Sequence, residues 1–396
     1  MVNNRKPSMW TTGLFLYEAL TTFTHQAYSR VSLSFSPDSI PKSLDGNVYL
    51  VTGANSGIGK ATAKALLERG STVHMACRSL EKGLIAKEDL LKQTGAGDSK
   101  CVLHIVDLSK IGQVKAFGSS FCNGIFGSRL DGLINNAGCM LHERKLTKEG
   151  NERNFATNSL GTYALTTSLL PALQRKIATK SDQKKETTTT TTTITTSRQN
   201  PSRVVTVSSG GAYTQKLDSK NLQTTEGFDD GTYIYAQNKR QQLVLTEKWG
   251  QIFAESNQQQ QQRPLVFQSM HPGWVDTPVL KSSMPDFYNR FKQKLRTPDE
   301  GADTILWLAT SDEALKSPPG SFFLDRKPQK KFLYGSFTTH TDQQADELYK
   351  SVSEICGECM PDESDRNAYG YMTSQQDYQQ HAIRQQQEAA HHQLSS

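Results

Sequence analysis

NVYLVTGANSGIGKATAK, residues 47–64, is the stretch that decides the fold. Val48-Tyr49-Leu50-Val51 is an apolar, β-branched run with no polar alternation, which predicts a strand buried on both faces, as in a parallel sheet. Gly53, Gly57 and Gly59 follow, and Ile58, Ala61, Ala65 and Leu66 then fall at helical spacing. A strand, a glycine-rich turn and a helix make a dinucleotide-binding start. The glycines admit the backbone close to a pyrophosphate, and the helix meets it with free N–H groups and the positive end of its dipole. Alone, the same turn also fits an ordinary entry into a surface helix, so partners are needed downstream.

The α/β alternation continues. Strands are predicted at Thr72–Cys77, Cys101–Val106, Asp131–Asn136, Val204–Ser208, Leu265–Ser269 and Gly320–Leu324. Helices are predicted at Leu80–Gln93, about Ile111–Phe126, a long stretch over Asn151–Ile177, Thr297–Thr310 and Asp342–Ile355. The Thr-rich run within 180–200 and the Gln run at 258–262 lack periodicity and cannot bury a core, so both read as surface insertions between elements. The expected fold class is α/β, a Rossmann-type doubly wound parallel sheet of about seven strands in a single domain. The expected organisation is a helical extension at 1–44, the Rossmann domain at 45–328 with a disordered insertion at 180–200, a C-terminal extension with a helix at 329–358 and a disordered Gln-rich tail at 359–396.

Two positions speak directly to chemistry. The second strand ends in Cys77-Arg78, where a carboxylate would accept from a ribose 2′-hydroxyl and a guanidinium would fork onto a 2′-phosphate. Arg78 therefore favours NADP(H), with NAD less favoured. Tyr235-Ala-Gln-Asn-Lys239 places a phenol and an ammonium four residues apart on one helix face. A free phenol, with a pKa of about 10, is a poor acid or base near neutrality unless a neighbouring cation stabilises its phenolate, and Lys239 supplies one.

The T-G-x-x-x-G-x-G turn, Asn135-Asn136-Ala137-Gly138, Asn158 with Gly161, Ser208-Ser209, Tyr235-x-x-x-Lys239 and Pro272-Gly273 occur in an order that resembles the short-chain dehydrogenase/reductase family. The resemblance covers residue 47 to about residue 324. It implies a cofactor site at Gly53, Asn55, Ser56, Gly57, Ile58, Gly59, Arg78, Asp107 and Leu108, continued by Asn135, Ala137, Gly138, Tyr235, Lys239, Pro272, Gly273, Val275 and Thr277. It implies catalysis by Asn158, Ser209, Tyr235 and Lys239. Tyr235 would exchange the proton and Ser209 would polarise the substrate oxygen. Asn158 would hold a water that links Lys239 to solvent. The spacer from Ser209 to Tyr235 is about twice the family's usual length, which leaves the choice of serine open to the structure. The implied reaction is hydride transfer between NADP(H) and a small-molecule carbonyl or secondary alcohol. The apolar stretch Pro278–Phe291, as a lid, points to a lipophilic one. The alternative is a nucleotide-binding sensor or scaffold of the same fold that does not turn over.

Composition narrows the partners. Of 396 residues 35% are hydrophobic, and the net charge of +6 comes from scattered side chains rather than a basic stripe interleaved with aromatics. No nucleic acid is expected, while a mildly basic surface suits an anionic cofactor. The six cysteines, Cys77, Cys101, Cys122, Cys139, Cys356 and Cys359, read as reduced packing residues. Cys356-Gly-Glu-Cys359 has redox or half-zinc spacing but no second ligand pair, and no metal is expected. Residues 1–40 carry two helical apolar rows, too short to span a bilayer. Their readings are a helix packed on the domain or on a second subunit, peripheral membrane contact through residues 9–28, or targeting. A homo-oligomer stays open, and the address is unassigned, with cytoplasm favoured over an organelle or a membrane.

Overall fold

A computed structural model describes residues 7–123, 129–175, 200–227, 230–256 and 262–361. All but Asn200 of the expected 180–200 insertion, most of the Gln run and most of the Gln-rich tail, including His381, His391 and His392, lie outside the described residues.

One eight-stranded sheet organises the chain, in the order β3-β2-β1-β4-β5-β6-β7-β8. The strands are β1 (Val48–Thr52), β2 (Thr72–Cys77), β3 (Cys101–Ile105), β4 (Gly132–Asn135), β5 (Ser202–Val207), β6 (Leu265–Met270), β7 (Phe322–Leu324) and β8 (Lys327–Gln329). The first seven are parallel and β8 alone is antiparallel, paired to β7. The order reverses between β1 and β4, so the crevice for a dinucleotide opens above the carboxyl ends of those two strands.

Thirteen helices complete the described fold: α1 (Met9–Thr22), α2 (His25–Ser32), α3 (Gly57–Leu67), α4 (Leu80–Thr94), α5 (Ile111–Asn123), α6 (Arg153–Phe155), α7 (Gly161–Ser168), α8 (Leu170–Leu173), α9 (Gly231–Ser256), α10 (Pro278–Ser283), α11 (Pro285–Phe291), α12 (Pro298–Thr310) and α13 (Asp342–Glu358). The apolar faces of α3, α4 and α12 close one side of the sheet around Leu66, Leu90, Val51, Ile305 and Leu308. On the other side α5, α7, α9 and α13 bury Phe117, Leu165, Val244, Trp249 and Leu348 against Leu133, Val204 and Phe267. With both faces covered, β5 is buried at every residue, its Ser202, Arg203 and Thr206 included, so the parallel strands show no alternation of buried and exposed residues.

The parallel sheet has its seven strands, and a two-residue turn at Asp325-Arg326, both at positive φ, folds an eighth strand, β8, back on β7. One expectation needs correction. The long helix expected over Asn151–Ile177 is α6, a π turn at Ala156–Leu160, α7 and α8. The break is local packing: a Cβ on Gly161 would lie 2.2 Å from the Leu108 carbonyl oxygen, so the helix runs hard against the loop after β3. The helix expected over about Ile111–Phe126 is α5, and the last three of those residues, 124–126, lie outside the described residues.

The amino-terminal helices lie on the domain. α1 buries Thr11 and Ala19, and Phe23 packs with Ala212, Tyr213, Leu243 and Phe322 in a third apolar cluster. Among the described residues no helix is long and apolar enough to cross a membrane.

Candidate active site and cofactor crevice

The glycine turn shows what it has to accommodate. Gly53 and Gly57 sit at φ +66° and +52°, a region that side chains rarely enter. Gly59 is held by space instead: a Cβ there would come within 2.4 Å of both the Asn136 amide nitrogen and the Gly53 carbonyl oxygen. Ser56 precedes α3 without a side-chain cap, so the first-turn N–H groups of Gly57, Ile58 and Gly59 are left for a ligand. Asn55 completes the turn.

The neighbouring strand ends converge on this turn. Thr52 Oγ1 accepts from Asn136 N and Ala137 N, both at 2.9 Å, which ties Asn136-Ala137-Gly138 to the end of β1. The Asn135 side chain points the other way and donates to Thr166 Oγ1 at 2.9 Å while buried, so only its backbone can serve a cofactor. Asp107 accepts from the Ser109 hydroxyl and amide, at 2.8 and 3.0 Å, beside the buried Leu108. Arg78 is exposed at the end of β2 and has no carboxylate within ion-pair distance among the described residues. Its charge is felt by the Cys139 thiol, so it stands on the crevice side.

The loop after β6 closes the crevice from above. A Cβ on Gly57 would touch Thr277 Cγ2 at 3.2 Å, and one on Gly301 would meet Val275 and Ile58. Arg296 N donates to the Trp274 carbonyl at 2.6 Å and Asp276 N to the Arg296 carbonyl at 2.9 Å, which turns the backbone groups of Val275 between them to the opposite side. Gly273 (φ +78°) donates its N–H to His271 Nδ1 at 3.0 Å, so Pro272-Gly273 acts by shaping this loop.

The proton-handling groups meet on α9. Ser209 comes beside the Tyr235 hydroxyl in spite of the long spacer, near enough to hold the phenol pKa down against its burial. Ser208 faces inward and donates to the Lys239 carbonyl at 2.8 Å, which separates the two serines by role. Lys239 Nζ lies 5.4 Å from the Tyr235 ring centroid. Burial pushes the Tyr235 phenol up to about 12, against the opposing effect of Ser209. Burial pulls Lys239 down to about 7, because no carboxylate accompanies its ammonium.

Lys239 is held by two acceptors, the Val207 carbonyl at 2.8 Å and Gln242 Oε1 at 3.0 Å. The other end of the Gln242 amide donates to the Asn158 carbonyl at 2.6 Å. The Gln242 amide thus bridges Lys239 to the Asn158 carbonyl. The Asn158 side chain works separately: its oxygen accepts from Cys139 N at 2.8 Å and its nitrogen donates to the Cys139 carbonyl at 2.9 Å, fixing the loop of Ala137 and Gly138. A π turn at this position is a device often found at functional sites. Sequence reasoning missed Gln242. Its signal is a position one helical turn beyond Lys239 on the same face, which a buried polar residue shares with many others.

Comparisons place this geometry among known proteins. The short chain dehydrogenase family model matches residues 47–181. The chain is 39% identical over 349 residues to dehydrogenase/reductase SDR family member 12 of Homo sapiens, across 88% of this chain and 98% of that protein. The chain belongs to the short-chain dehydrogenase/reductase family. Retinol dehydrogenase 11 of Homo sapiens is 33% identical over 285 residues, 71% of this chain and 78% of its own. Among solved structures, an uncharacterised Mycobacterium paratuberculosis protein superposes with a TM-score of 0.58 at 26% identity, covering 82% of this chain and 97% of its own. The Pseudomonas aeruginosa RhlG/NADP complex superposes with a TM-score of 0.52 at 21% identity, over 71% and 95%, a likeness of fold. Family membership makes the protein an oxidoreductase of the short-chain type that works with a nicotinamide cofactor.

The remaining candidates are structural. All six cysteines are free thiols. Cys356 and Cys359 are buried at the end of α13, and their carbonyls hold Lys115 Nζ at 2.8 and 2.9 Å. Among the described residues no cluster of His, Cys, Asp and Glu could bind a metal.

Proposed function

We propose that the protein transfers a hydride between NADP(H) and a lipophilic carbonyl or secondary alcohol. The observation that carries this reading is the Ser209–Tyr235–Lys239 constellation at the mouth of the glycine-turn crevice. The residues present fit a dinucleotide. The pyrophosphate meets the uncapped start of α3, and Asp107, Leu108 and the backbone of Asn135, Ala137 and Gly138 line the adenosine and ribose path. Val275 and Thr277 cover the nicotinamide end. Arg78, exposed and without a carboxylate partner among the described residues, would receive the 2′-phosphate that distinguishes NADP from NAD. The bound nicotinamide supplies or takes the hydride.

The chain's own groups manage the proton. In reduction, the Tyr235 hydroxyl gives its proton to the substrate oxygen while Ser209 donates a hydrogen bond to that oxygen. The resulting phenolate is stabilised by the Lys239 ammonium, whose acceptors Val207 and Gln242 hold it in place. The lid of α10 and α11 presents Met284, Phe287, Tyr288 and Phe291, with Phe287 4.9 Å and Phe291 5.0 Å from the Trp274 ring, which suits an apolar substrate.

The test is loss of NADPH absorbance with a panel of lipophilic aldehydes, ketones and quinones. Tyr235→Phe should abolish turnover and leave NADPH binding, read by fluorescence, intact. Tight NADPH binding with no oxidation by any member of the panel would replace this reading with that of a nucleotide-binding sensor.

A further inference from the structure

Among the described residues the outer face of α1 has no partner. Met9, Trp10, Leu16, Tyr17 and Leu20 are 94, 63, 40, 72 and 42% exposed. At 3.6 residues per turn they fall with Gly13 on a single stripe that holds no charged or hydrogen-bonding side chain beyond the rims of Trp10 and Tyr17. The opposite stripe, Thr11, Phe15 and Ala19, already faces the domain. A helix apolar on two sides has one side left to cover.

The loop beside α1 repeats the pattern. Tyr334 and Phe337 are 87 and 83% exposed. They are held out. Arg240, buried beneath, donates to the carbonyls of Lys331 and Thr338 at the two ends of the loop, and Thr11 donates to the Ser336 carbonyl at 3.4 Å. Phe337 stands at φ +55°, which is strained for a bulky side chain. The backbone is thus fixed in an unfavourable conformation that keeps an aromatic ring in water.

Charge identifies the occupant. Lys327 and Lys330 flank the loop, exposed and without carboxylate partners among the described residues. Phe15 and Trp274, both partly exposed, pack on the buried cluster around Phe23, and Trp274 leads on to Phe287 and Phe291 of the lid. There Arg290, Lys292 and Lys294 are exposed, with Asp286 the only acid on α11. Aromatic residues ringed by Lys and Arg are the composition of a surface that lies in the headgroup region of an anionic bilayer.

We propose that α1 and the 334–337 loop dock the protein on an anionic phospholipid surface, with the lid facing that surface. Docking stands apart from the redox chemistry. The corollary that a lipophilic substrate enters the lid from the bilayer rests on the proposed function.

Cosedimentation of the full chain with vesicles tests the docking. Wild type should partition onto phosphatidylcholine vesicles containing phosphatidylserine at least roughly ten-fold better than onto phosphatidylcholine alone, and added salt should weaken this. The double variant W10S/Y17S should lower partitioning by roughly ten-fold or more. Phe337→Gly should lower it while its melting temperature is unchanged or higher, because glycine relieves the positive φ. No sedimentation of wild type with anionic vesicles would overturn the proposal. So would a wild-type dimer that W10S/Y17S converts to monomer without any change in vesicle binding, since a second copy would then cover the stripe. Turnover of a water-soluble carbonyl by the same variants reports separately on the active site.

Discussion

Gln242→Leu removes both ends of one amide bridge at nearly constant volume. In the wild type, Lys239 Nζ donates to Gln242 Oε1 at 3.0 Å and to the Val207 carbonyl at 2.8 Å, and Gln242 Nε2 donates to the Asn158 carbonyl at 2.6 Å. The leucine leaves Lys239 one acceptor. The Asn158 carbonyl keeps the Thr162 hydroxyl at 2.8 Å, so it is not orphaned. A hydrogen bond to a charged group contributes about 1.5–3 kcal/mol, and this one favours only the protonated lysine. Its loss moves the Lys239 pKa down by about 1–2 units from a value already near 7. The ammonium is the form that stabilises the Tyr235 phenolate, so the basic limb of the kcat/KM profile should move to lower pH by the same amount. Gln242→Glu should move it up, since a carboxylate favours the ammonium. The assay is the pH dependence of NADPH-linked reduction, with thermal melts to check folding. Folded Gln242→Leu enzyme whose basic limb coincides with that of wild type would show that Lys239 is not held by this amide. It would remove Gln242 from the site.

Arg78→Asp should lower kcat/KM with NADPH by about 30- to 100-fold, the loss of one forked charge-assisted contact, and raise it with NADH. An unchanged ratio between the two cofactors would leave Arg78 outside the phosphate site. Acid should also weaken the fold through His74, whose Nδ1 lies 2.8 Å from His104 Nε2 in the core and whose pKa burial lowers to about 4. Between about pH 4 and the ordinary histidine value near 6.5 the unfolded chain holds a proton that the folded chain refuses, so stability falls as pH falls through that window. From pH 7 to about pH 5 this one ring costs about 2 kcal/mol, and His104, lowered for the same reason, acts in the same direction. Urea melts at the two pH values measure it, and a flat stability would mean that the pair is not buried as neutral rings.

The sheet was legible because β1, β2, β5 and β6 are covered on both faces and so are mostly apolar without polar alternation, while the glycine turn has to carry glycines where φ is positive. Tyr235 and Lys239 were legible because helical spacing alone brings them onto one face. What escaped depends on contacts between distant residues. β8 carries Pro328 and turns through Asp325 and Arg326, with no glycine to mark two left-handed positions. The interruption at Asn158 follows from how closely Gly161 approaches Leu108. Gln242 is one of several buried polar residues on α9, and only coordinates show its amide spanning Lys239 and Asn158.

The same reasoning applies with most force to the described part of residues 1–40, which the sequence offered as packing, membrane contact or targeting. The Phe23 carbonyl accepts from Trp274 N at 2.8 Å and from Arg296 Nε at 3.1 Å. Arg296 also binds the Thr22 carbonyl at 2.7 Å and pairs with Asp325 at 2.6 and 2.9 Å. The Phe23 ring lies 4.1 Å from His271, and a Cβ on Gly210 would fall 2.5 Å from it. The segment thus sits beneath both Ser209 and the loop of Val275 and Thr277. Only the inner face of α1 is needed for that support. A helix required solely as a brace would gain from lysine or glutamate at positions 9, 10, 16, 17 and 20, which are 40 to 94% exposed among the described residues. Apolar side chains at all five argue that the outer face meets a second apolar phase while the inner face holds the catalytic loops.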